Sequence, residues 1–462
     1  MSVRPRPDAR VSFRMVLTAP PPQVRTRQDP SPTERNPMPS LSTLSPDALA
    51  DLRSGLRGEY DALKAQGLKL DMTRGKPASD QLDLAAEMLA LPGNRDTTAE
   101  DGTDARNYGN LQGLHETRAL FAPVLGAGPE QVVIANNSSL ALMHDVLVYA
   151  LLKGVPGGEG PWSQQEPITI LCPVPGYDRH FALCEGFGIR MVAIPMTGEG
   201  PNMDVVEREA ADPSVKGIWC VPQYSNPSGE TYSDETVRRL ASLKAGAPDF
   251  RILWDNAYAV HHLTEARPNL RNILEACAQA GHPDRPIVFA STSKVTLAGA
   301  GLAMLAASPA NVKWYLAQAG RRSIGPDKLN QLRHVRFLRD SAGIAAHMDR
   351  HRALIAPKFA AVEEAFAARL DGWEVARWSR PLGGYFVTLD VADGTASQVV
   401  RLAGEAGIAL TPAGATHPYG KDPHDRTLRI APTFPKLDAV RKAAEAVALC
   451  TLLAAVEVRA AG

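Results

Sequence analysis

The sequence predicts an α/β fold, in which a mostly parallel central sheet is covered by helices and is joined to a smaller α+β domain. Short apolar runs alternate with helical stretches after Met88, which is the pattern of repeated strand–helix units. Beyond about residue 340 the pattern changes to a helical stretch and then to the strand-like strings WEVARWS, GYFVTLDV and TLRIAP. The runs interpreted as buried strands of the central sheet are VVIA (132–135), ITIL (168–171), MVAIP (191–195), GIWCV (217–221), RILWD (251–255) and IVFAS (287–291).

At 462 residues the chain is too long for one small core, and two or three domains are expected. Residues 1–40 hold clustered prolines and arginines without periodicity, which predicts a disordered leader. The alternative is that translation starts at Met38. A helical pattern begins after the N-cap Ser45 and stops at Gly67. We assign the rest of the chain to an N-terminal segment of the small domain (41–75), a large domain (76–335) and a C-terminal small domain (336–462).

Composition and charge argue for a small-molecule substrate. Apolar residues make up 44% of the chain and charged residues 22%, which is typical of a globular protein. Lys plus Arg and Asp plus Glu both number 50, so the formal net charge is zero. A balanced charge gives no electrostatic footprint for nucleic acid or for an anionic membrane. We therefore expect neither as a partner.

The five cysteines are scattered, without a CxxC pair or a His/Cys spacing that suits a metal. We predict that they are reduced and mostly buried, and that the protein has no metal site. No apolar run approaches the ~20 residues that cross a bilayer, and no signal-peptide pattern is present. These observations favour a cytoplasmic protein.

Two strands of the predicted sheet end at residues that suit catalysis. The string STSK places Lys294 at the carboxyl end of the strand IVFA, although a lone lysine there is most simply a solvated charge. Asp255 ends the strand RILW, and Tyr258 follows three residues later. An aspartate in this position can pair with a pyridinium nitrogen and make the ring an electron sink. An ordinary helix N-cap is the alternative for Asp255.

Three further strand ends carry polar or aromatic side chains. Asn226 lies in the turn SNPSG, where its amide can donate to a phenolate oxygen or serve only the turn. Ser138 and Ser139 open a helix after VVIA, and such a terminus suits a phosphate ester, although a simple capped helix has the same pattern. Tyr177 follows ITIL, where its ring can stack on a cofactor or pack in the core.

The order of these groups is more specific than any one of them. A phosphate cradle, a stacking aromatic ring, an asparagine, an Asp–Tyr pair and Ser-x-Ser-Lys follow one another, each at a strand end. Asn226 and Asp255 are 29 residues apart, and Asp255 and Lys294 are 39 apart. From about Ser45 onward the chain resembles the class I, fold-type I aminotransferases, which use pyridoxal 5'-phosphate (PLP). It is most similar to the bacterial type Ic aspartate aminotransferase subgroup, through the strings DMTRGKP, NYGNLQG, ANNSSL, PGYDRH, SNPSGE, WDNAY, STSKVTLAGAG, IGPDKLNQLRH and LRIAPTFP.

The resemblance implies an enzyme that carries PLP in the large domain, residues 76–335. Lys294 would form the aldimine, with Asp255 and Tyr258 as the other catalytic residues. The subgroup also implies a homodimer with shared active sites, in which Tyr108 reaches the partner's cofactor phosphate. The implied cofactor-binding residues are Asn137, Ser138, Ser139, Tyr177, Asn226, Asp255, Tyr258, Ser291, Ser293, Lys294 and Tyr108. The implied substrate-binding residues are Arg429 for the α-carboxylate, Asn226, Arg322 and Gly75.

One position departs from the subgroup's pattern. Most relatives place an arginine about eight residues after the lysine to hold the phosphate, whereas this chain has Gly301 there. We therefore expect hydroxyl groups, backbone N–H groups and another cation to hold the phosphate.

The implied reaction is a ping-pong transfer of an amino group from aspartate or glutamate to 2-oxoglutarate or oxaloacetate. A second carboxylate in a dry site needs a second cation. The resemblance implies that this cation is an arginine of the partner subunit in the segment QAGRRSIGPDKLNQL, with Arg322 as the leading candidate and Arg321 and Lys328 in reserve. Arg74 and Lys76 are further candidates, and the alternative is that Arg321 and Arg322 are only a solvated pair at a helix end.

Other functions are also considered. Another fold-type I activity, such as β-elimination or decarboxylation, would use many of the same residues. A ligand-sensing aminotransferase-like module is a second alternative, although no helix-turn-helix pattern precedes residue 45. A NAD-dependent dehydrogenase is disfavoured, because no G-x-G-x-x-G string opens a helix after an early strand.

Overall fold

The computed structural model describes residues 40–165 and 167–461. The predicted leader, residues 1–40, lies outside the described residues except for Ser40. Among the helices of the described residues, none combines the length and apolar character needed to cross a membrane.

A seven-stranded sheet forms the centre of the fold. Its strand order is β2-β8-β7-β6-β5-β3-β4, and the neighbours from β4 to β7 are parallel, while β8 runs antiparallel to both β7 and β2. Strands such as β5 are buried at every residue, which explains why they are apolar without alternation. The strands are β2 (Val132–Ile134), β3 (Thr169–Val174), β4 (Arg190–Pro195), β5 (Val215–Cys220), β6 (Arg251–Asp255), β7 (Pro286–Ser291) and β8 (Ala303–Ala307).

Helices cover both faces of this sheet and form two separate apolar layers. One layer contains residues of α4, α5 and α9, and the other contains residues of α3, α6, α7 and α8. Side-chain caps begin several of these helices, for example Ser138 at α4 and Ser233 at α7. The helices are α3 (His115–Leu125), α4 (Ser139–Lys153), α5 (Asp178–Gly186), α6 (Met203–Ala210), α7 (Asp234–Ala241), α8 (Ile273–Gln279) and α9 (Pro309–Ala319).

A third apolar cluster surrounds a small antiparallel sheet of order β12-β10-β9 and includes residues of α1, α11, α12 and α13. The short parallel pair β1–β11 joins the start of the described chain to its C-terminal part, where α1 also packs against α13. The strands are β1 (Leu70–Asp71), β9 (Ala376–Trp378), β10 (Val387–Val391), β11 (Ile408–Ala409) and β12 (Thr427–Ile430). The helices are α1 (Pro46–Ala65), α2 (Ser79–Asp83), α10 (Lys328–Leu338), α11 (Ser341–Leu370), α12 (Ala396–Glu405) and α13 (Leu437–Ala461).

The α/β fold with a mostly parallel sheet is confirmed, and each of the six predicted central strands is present with shifts of a few residues at its ends. Strand β8 was not among the predicted strands. The domain boundaries at residues 75 and 335 stay predictions. All five cysteines are buried and unpaired.

Candidate active site

The carboxyl ends of the central strands surround a cavity of about 400 Å³. Parallel strands bring their carboxyl ends to one edge of a sheet, which is why residues far apart in the chain meet here. The lining residues are Asn137, Ser138, Ser139, Leu140, Tyr177, Val221, Asn226, Asp255, Ala257, Tyr258, Ser291, Ser293, Lys294 and Ala298. All the predicted cofactor-binding residues except Tyr108 therefore line one cavity. A larger cavity of about 490 Å³, between α3 and the start of α11, contains none of the predicted residues.

Lys294 lies just beyond β7 with its amine 5.2 Å from the ring centre of Tyr258. Burial lowers the pKa of the Lys294 amine below its usual 10.5, although the nearby charge of Asp255 acts in the opposite direction. Two side chains contact the backbone of Lys294. Its carbonyl oxygen accepts from the Tyr385 hydroxyl (3.4 Å) and lies 3.3 Å from His261 Nε2. The lowered pKa of the amine and the fixed backbone both suit a covalent cofactor anchor.

Asp255 is buried at the end of β6, and only one of its two oxygens has a partner. Nε2 of His180 donates to Oδ2 over 3.1 Å, and the His180 ring stacks on Trp219 with centres 4.2 Å apart. Oδ1 is buried without any partner among the described residues. A buried carboxylate oxygen with no donor is costly unless a bound group supplies one. This oxygen is therefore available to a ring N–H.

The N-terminus of α4 lines the same cavity. The hydroxyl of Ser138 accepts from the backbone N–H of Ala141 (3.2 Å), while Ser139 is the first helical residue. Asn137 is already used, because its amide donates to the carbonyl of Gly299 (3.0 Å). Of the described residues that line the cavity, Lys294 is the only cationic one.

Gly301, which replaces the expected arginine, lies against the turn that carries Lys294. A Cβ at this position would be 3.0 Å from Thr292 Oγ1 and 3.2 Å from the backbone nitrogen of Ser293. Asn330 also stabilises this segment by donating to the carbonyls of Ala300 and Gly301, both at 3.0 Å. A side chain at this position would thus start in close contact with Thr292 and Ser293.

The side chains of Asn226, Tyr177 and Tyr258 also line the cavity. The amide of Asn226 forms no hydrogen bond within the described residues, and its Oδ1 is buried. Burial, reinforced by the charge of Asp255, raises the pKa of the Tyr177 phenol to about 12. Burial also raises the pKa of Tyr258, with Tyr177 as the next contribution. Both phenols therefore remain protonated donors at neutral pH.

Arg429 lies on β12, beside the cavity. Its guanidinium carbon is 5.0 Å from the ring centre of Phe386, and this ring in turn meets Tyr258 edge to face. Nη1 of Arg429 donates to Asp178 over 2.7 Å. Gly75 touches the same ring, because a Cβ there would be 2.2 Å from Cζ of Phe386. The two predicted substrate residues are therefore linked through one aromatic side chain.

Two predicted residues lie away from this cavity in the chain that contains them. Tyr108 is 77% exposed in the loop before α3. Arg322 follows α9 and pairs with Asp145 of α4 over 2.9 Å, with half of its side chain exposed. Their predicted roles in a partner's active site stay predictions.

The sequence analysis missed five residues of the site: Asp178, His180, His261, Tyr385 and Phe386. His180 lies three residues after Tyr177 in the first turn of α5, and this helical spacing places both on one face. Two of the others were also near predicted residues in the sequence, since Asp178 directly follows Tyr177 and His261 lies three residues after Tyr258. Tyr385 and Phe386 are brought to the site by tertiary packing alone.

Comparison with known proteins agrees with this geometry. The model of the family described as "Aspartate amino-transferase" matches residues 44–462. The chain belongs to the aspartate aminotransferase family. It is thus a fold-type I aminotransferase, and the family implies PLP as its cofactor.

Several relatives cover almost the whole chain. A protein of Mycolicibacterium smegmatis, assigned as an aminotransferase without a stated substrate, is 52% identical over 421 residues, which are 90% of this chain and 98% of its own. An aspartate aminotransferase of Corynebacterium glutamicum is 47% identical over 418 residues, covering 90% and 97%. The crystal structure of an aspartate transaminase from C. glutamicum, also 47% identical, matches with a TM-score of 0.89 over 91% of this chain and 99% of that one.

The residues of the cavity fit PLP. The unpartnered Oδ1 of Asp255 suits the ring nitrogen, the free amide of Asn226 suits the phenolate, and the start of α4 suits the phosphate. Lys294 would hold the cofactor covalently. The phosphate would be held by hydroxyl and N–H groups of this chain rather than by an arginine from it.

Proposed function

We propose that this aminotransferase transfers the amino group of aspartate or glutamate to 2-oxoglutarate or oxaloacetate by a ping-pong mechanism. The observation that carries this proposal is the buried Lys294 amine, with its lowered pKa, in one cavity with the unpartnered carboxylate oxygen of Asp255. The name of the C. glutamicum relative, at 47% identity, supports the choice of aspartate.

PLP, when bound, supplies a conjugated ring that accepts the electron pair released at the substrate's Cα. The negative charge of Asp255 would keep the ring nitrogen protonated. His180 fixes that carboxylate by donating to its other oxygen over 3.1 Å, so that Oδ1 faces the cavity.

Lys294 would act as the base that removes the Cα proton and then as the acid that donates it to the C4' carbon of the cofactor. Because burial lowers its pKa, a larger fraction of the amine is neutral near pH 7 than in a solvated lysine. The hydrogen bond from Tyr385 to the Lys294 carbonyl would limit the movement of the backbone. Proton removal and proton donation would then require movement of the lysine side chain only.

Arg429 would bind the α-carboxylate and Arg322 of the partner subunit the distal carboxylate, in a homodimer with shared sites. The 92% burial of Arg429 supports the first assignment, because a buried guanidinium is suited to a bidentate anion. The exposure of Arg322 and Tyr108 supports the second, since both are accessible to another copy of the chain.

The test compares kcat/KM for aspartate, glutamate, alanine, leucine and phenylalanine with 2-oxoglutarate as acceptor. We expect the dicarboxylic donors to exceed the others at least about tenfold. Arg322→Ala should remove this preference, whereas Arg208→Ala, at an exposed arginine paired with Glu209 on α6, is the control and should retain it. Equal values for alanine and aspartate in the wild type would refute the substrate assignment.

A further inference from the structure

Arg429, the residue assigned to the substrate's α-carboxylate, already has an anionic partner in its own chain. Its Nη1 donates to Oδ1 of Asp178 over 2.7 Å, and only 8% of the Arg429 side chain is exposed. A guanidinium buried to this extent without a counter-ion would be costly. Asp178 therefore stabilises the buried cation before any substrate binds.

The other donors of this guanidinium remain available for a second anion. Nε of Arg429 is buried without a partner, and no hydrogen bond besides that to Asp178 is formed within the described part of the chain. Nε–H and the adjacent Nη2–H point in parallel and form one of the two edges that bind a carboxylate bidentately. The other edge requires Nη1, which Asp178 occupies. The ring of Phe386 lies against the guanidinium and restricts its rotation.

Secondary structure fixes the position of Asp178. It is the first residue of α5 and directly follows Tyr177, which lines the cavity. A carboxylate in the first turn is stabilised by the helix dipole. Its side chain is 32% exposed, so it is neither fully solvated nor locked in the core. It is thus held beside the place where a substrate carboxylate would meet Arg429.

We propose that Asp178 is the resident counter-ion of Arg429, and that it sets the affinity for α-carboxylates by competing for the same guanidinium. This inference rests on the proposed function, because it takes Arg429 as the α-carboxylate site. A bound substrate places a second carboxylate near the first, and the two like charges repel each other. Asp178 is accordingly a positioning residue that directs the substrate to the Nε–Nη2 edge and weakens its binding.

The test is a calorimetric titration of the cofactor-loaded enzyme with maleate and with propionate, two carboxylates that carry no amino group. Asp178→Asn should bind both about 3- to 10-fold more tightly than the wild type does. Asp393→Asn is the matched control, because it removes a carboxylate 3.2 Å from Arg426, near the same sheet, and should leave both affinities unchanged. Damage to the fold would weaken binding, so tighter binding is a result that a merely structural role would not give.

Unchanged or weaker binding of the two carboxylates by Asp178→Asn would overturn the inference. Arg429→Lys separates this failure from that of the proposed function. If Arg429→Lys binds maleate as the wild type does, the α-carboxylate assignment itself is wrong. If it weakens binding at least about tenfold while Asp178→Asn does not tighten it, only the role of Asp178 is wrong.

Discussion

Replacing His334 by glutamine is expected to reduce the pH dependence of this protein's stability by about 2 kcal/mol between neutral and mildly acidic solution. His334 is fully buried on α10, where its Nδ1 lies 2.8 Å from the carbonyl oxygen of Asn330. Nδ1 must therefore carry the proton, and Nε2 accepts from Thr292, whose hydroxyl is 3.0 Å away. The same hydroxyl accepts from the N–H of Leu302 at 2.8 Å. This chain of bonds fixes the turn that carries Lys294.

The magnitude follows from the pKa of the imidazole. Burial lowers the pKa of His334 from 6.5 to about 4, against a smaller opposing effect of its hydrogen bond to Asn330. As the pH falls below 6.5, the unfolded chain binds a proton here that the folded protein does not bind until about pH 4. The contribution of neutral His334 to the free energy of unfolding is therefore fully present above pH 6.5, and it is lost as the pH falls from 6.5 to about 4. For these two pKa values the loss at about pH 5 amounts to about 2 kcal/mol.

The assay is urea unfolding of wild type and His334→Gln at about pH 8 and about pH 5, at one fixed protein concentration. Glutamine keeps an acceptor near the threonine hydroxyl but does not titrate. The free energy of unfolding of the variant should fall by about 2 kcal/mol less than that of the wild type between the two conditions. His115→Gln, at a largely exposed position, is the control and should retain the wild-type difference. An equal pH dependence in wild type and His334→Gln would refute this reasoning.

Three further predictions concern the active site. Lys294→Ala should lose at least about 100-fold in kcat, because the covalent anchor and the proton carrier are both removed, and near-normal turnover would exclude the assigned role. Asp255→Asn keeps the shape of the side chain and removes its charge, so kcat should fall more than about tenfold. The variant should still retain most of its cofactor, as measured by absorbance after gel filtration. A smaller decrease in kcat would contradict the role of Asp255. Gly75→Ala places a methyl group 2.2 Å from the ring of Phe386 and displaces the support of Arg429, so KM should rise for every amino acid substrate, and an increase for one substrate alone would argue against this contact.

Six strands of the central sheet, and the polar residues that follow several of them, were predictable from the amino-acid pattern. An apolar run that is buried on both faces must stop where the chain leaves the core, so RILWD and IVFAS marked both the strand and the position of Asp255 and Lys294. Because parallel strands share one carboxyl edge, the convergence of these residues with Asn226 followed from the order of elements alone. The family resemblance added the chemistry to that convergence.

The side chains that pair with the charged groups of the site could be identified only from the folded structure. His180 and Asp255 are 75 residues apart, and Asp178 and Arg429 are 251 apart, so no local pattern contains either pair. The surroundings of Gly301 also became visible only in the fold, where a Cβ would lie 3.0 Å from Thr292 Oγ1. Local periodicity reports which face of an element is buried, whereas partners across a domain depend on how whole elements pack, with hydrogen-bond distances that a shift of about 1 Å would abolish.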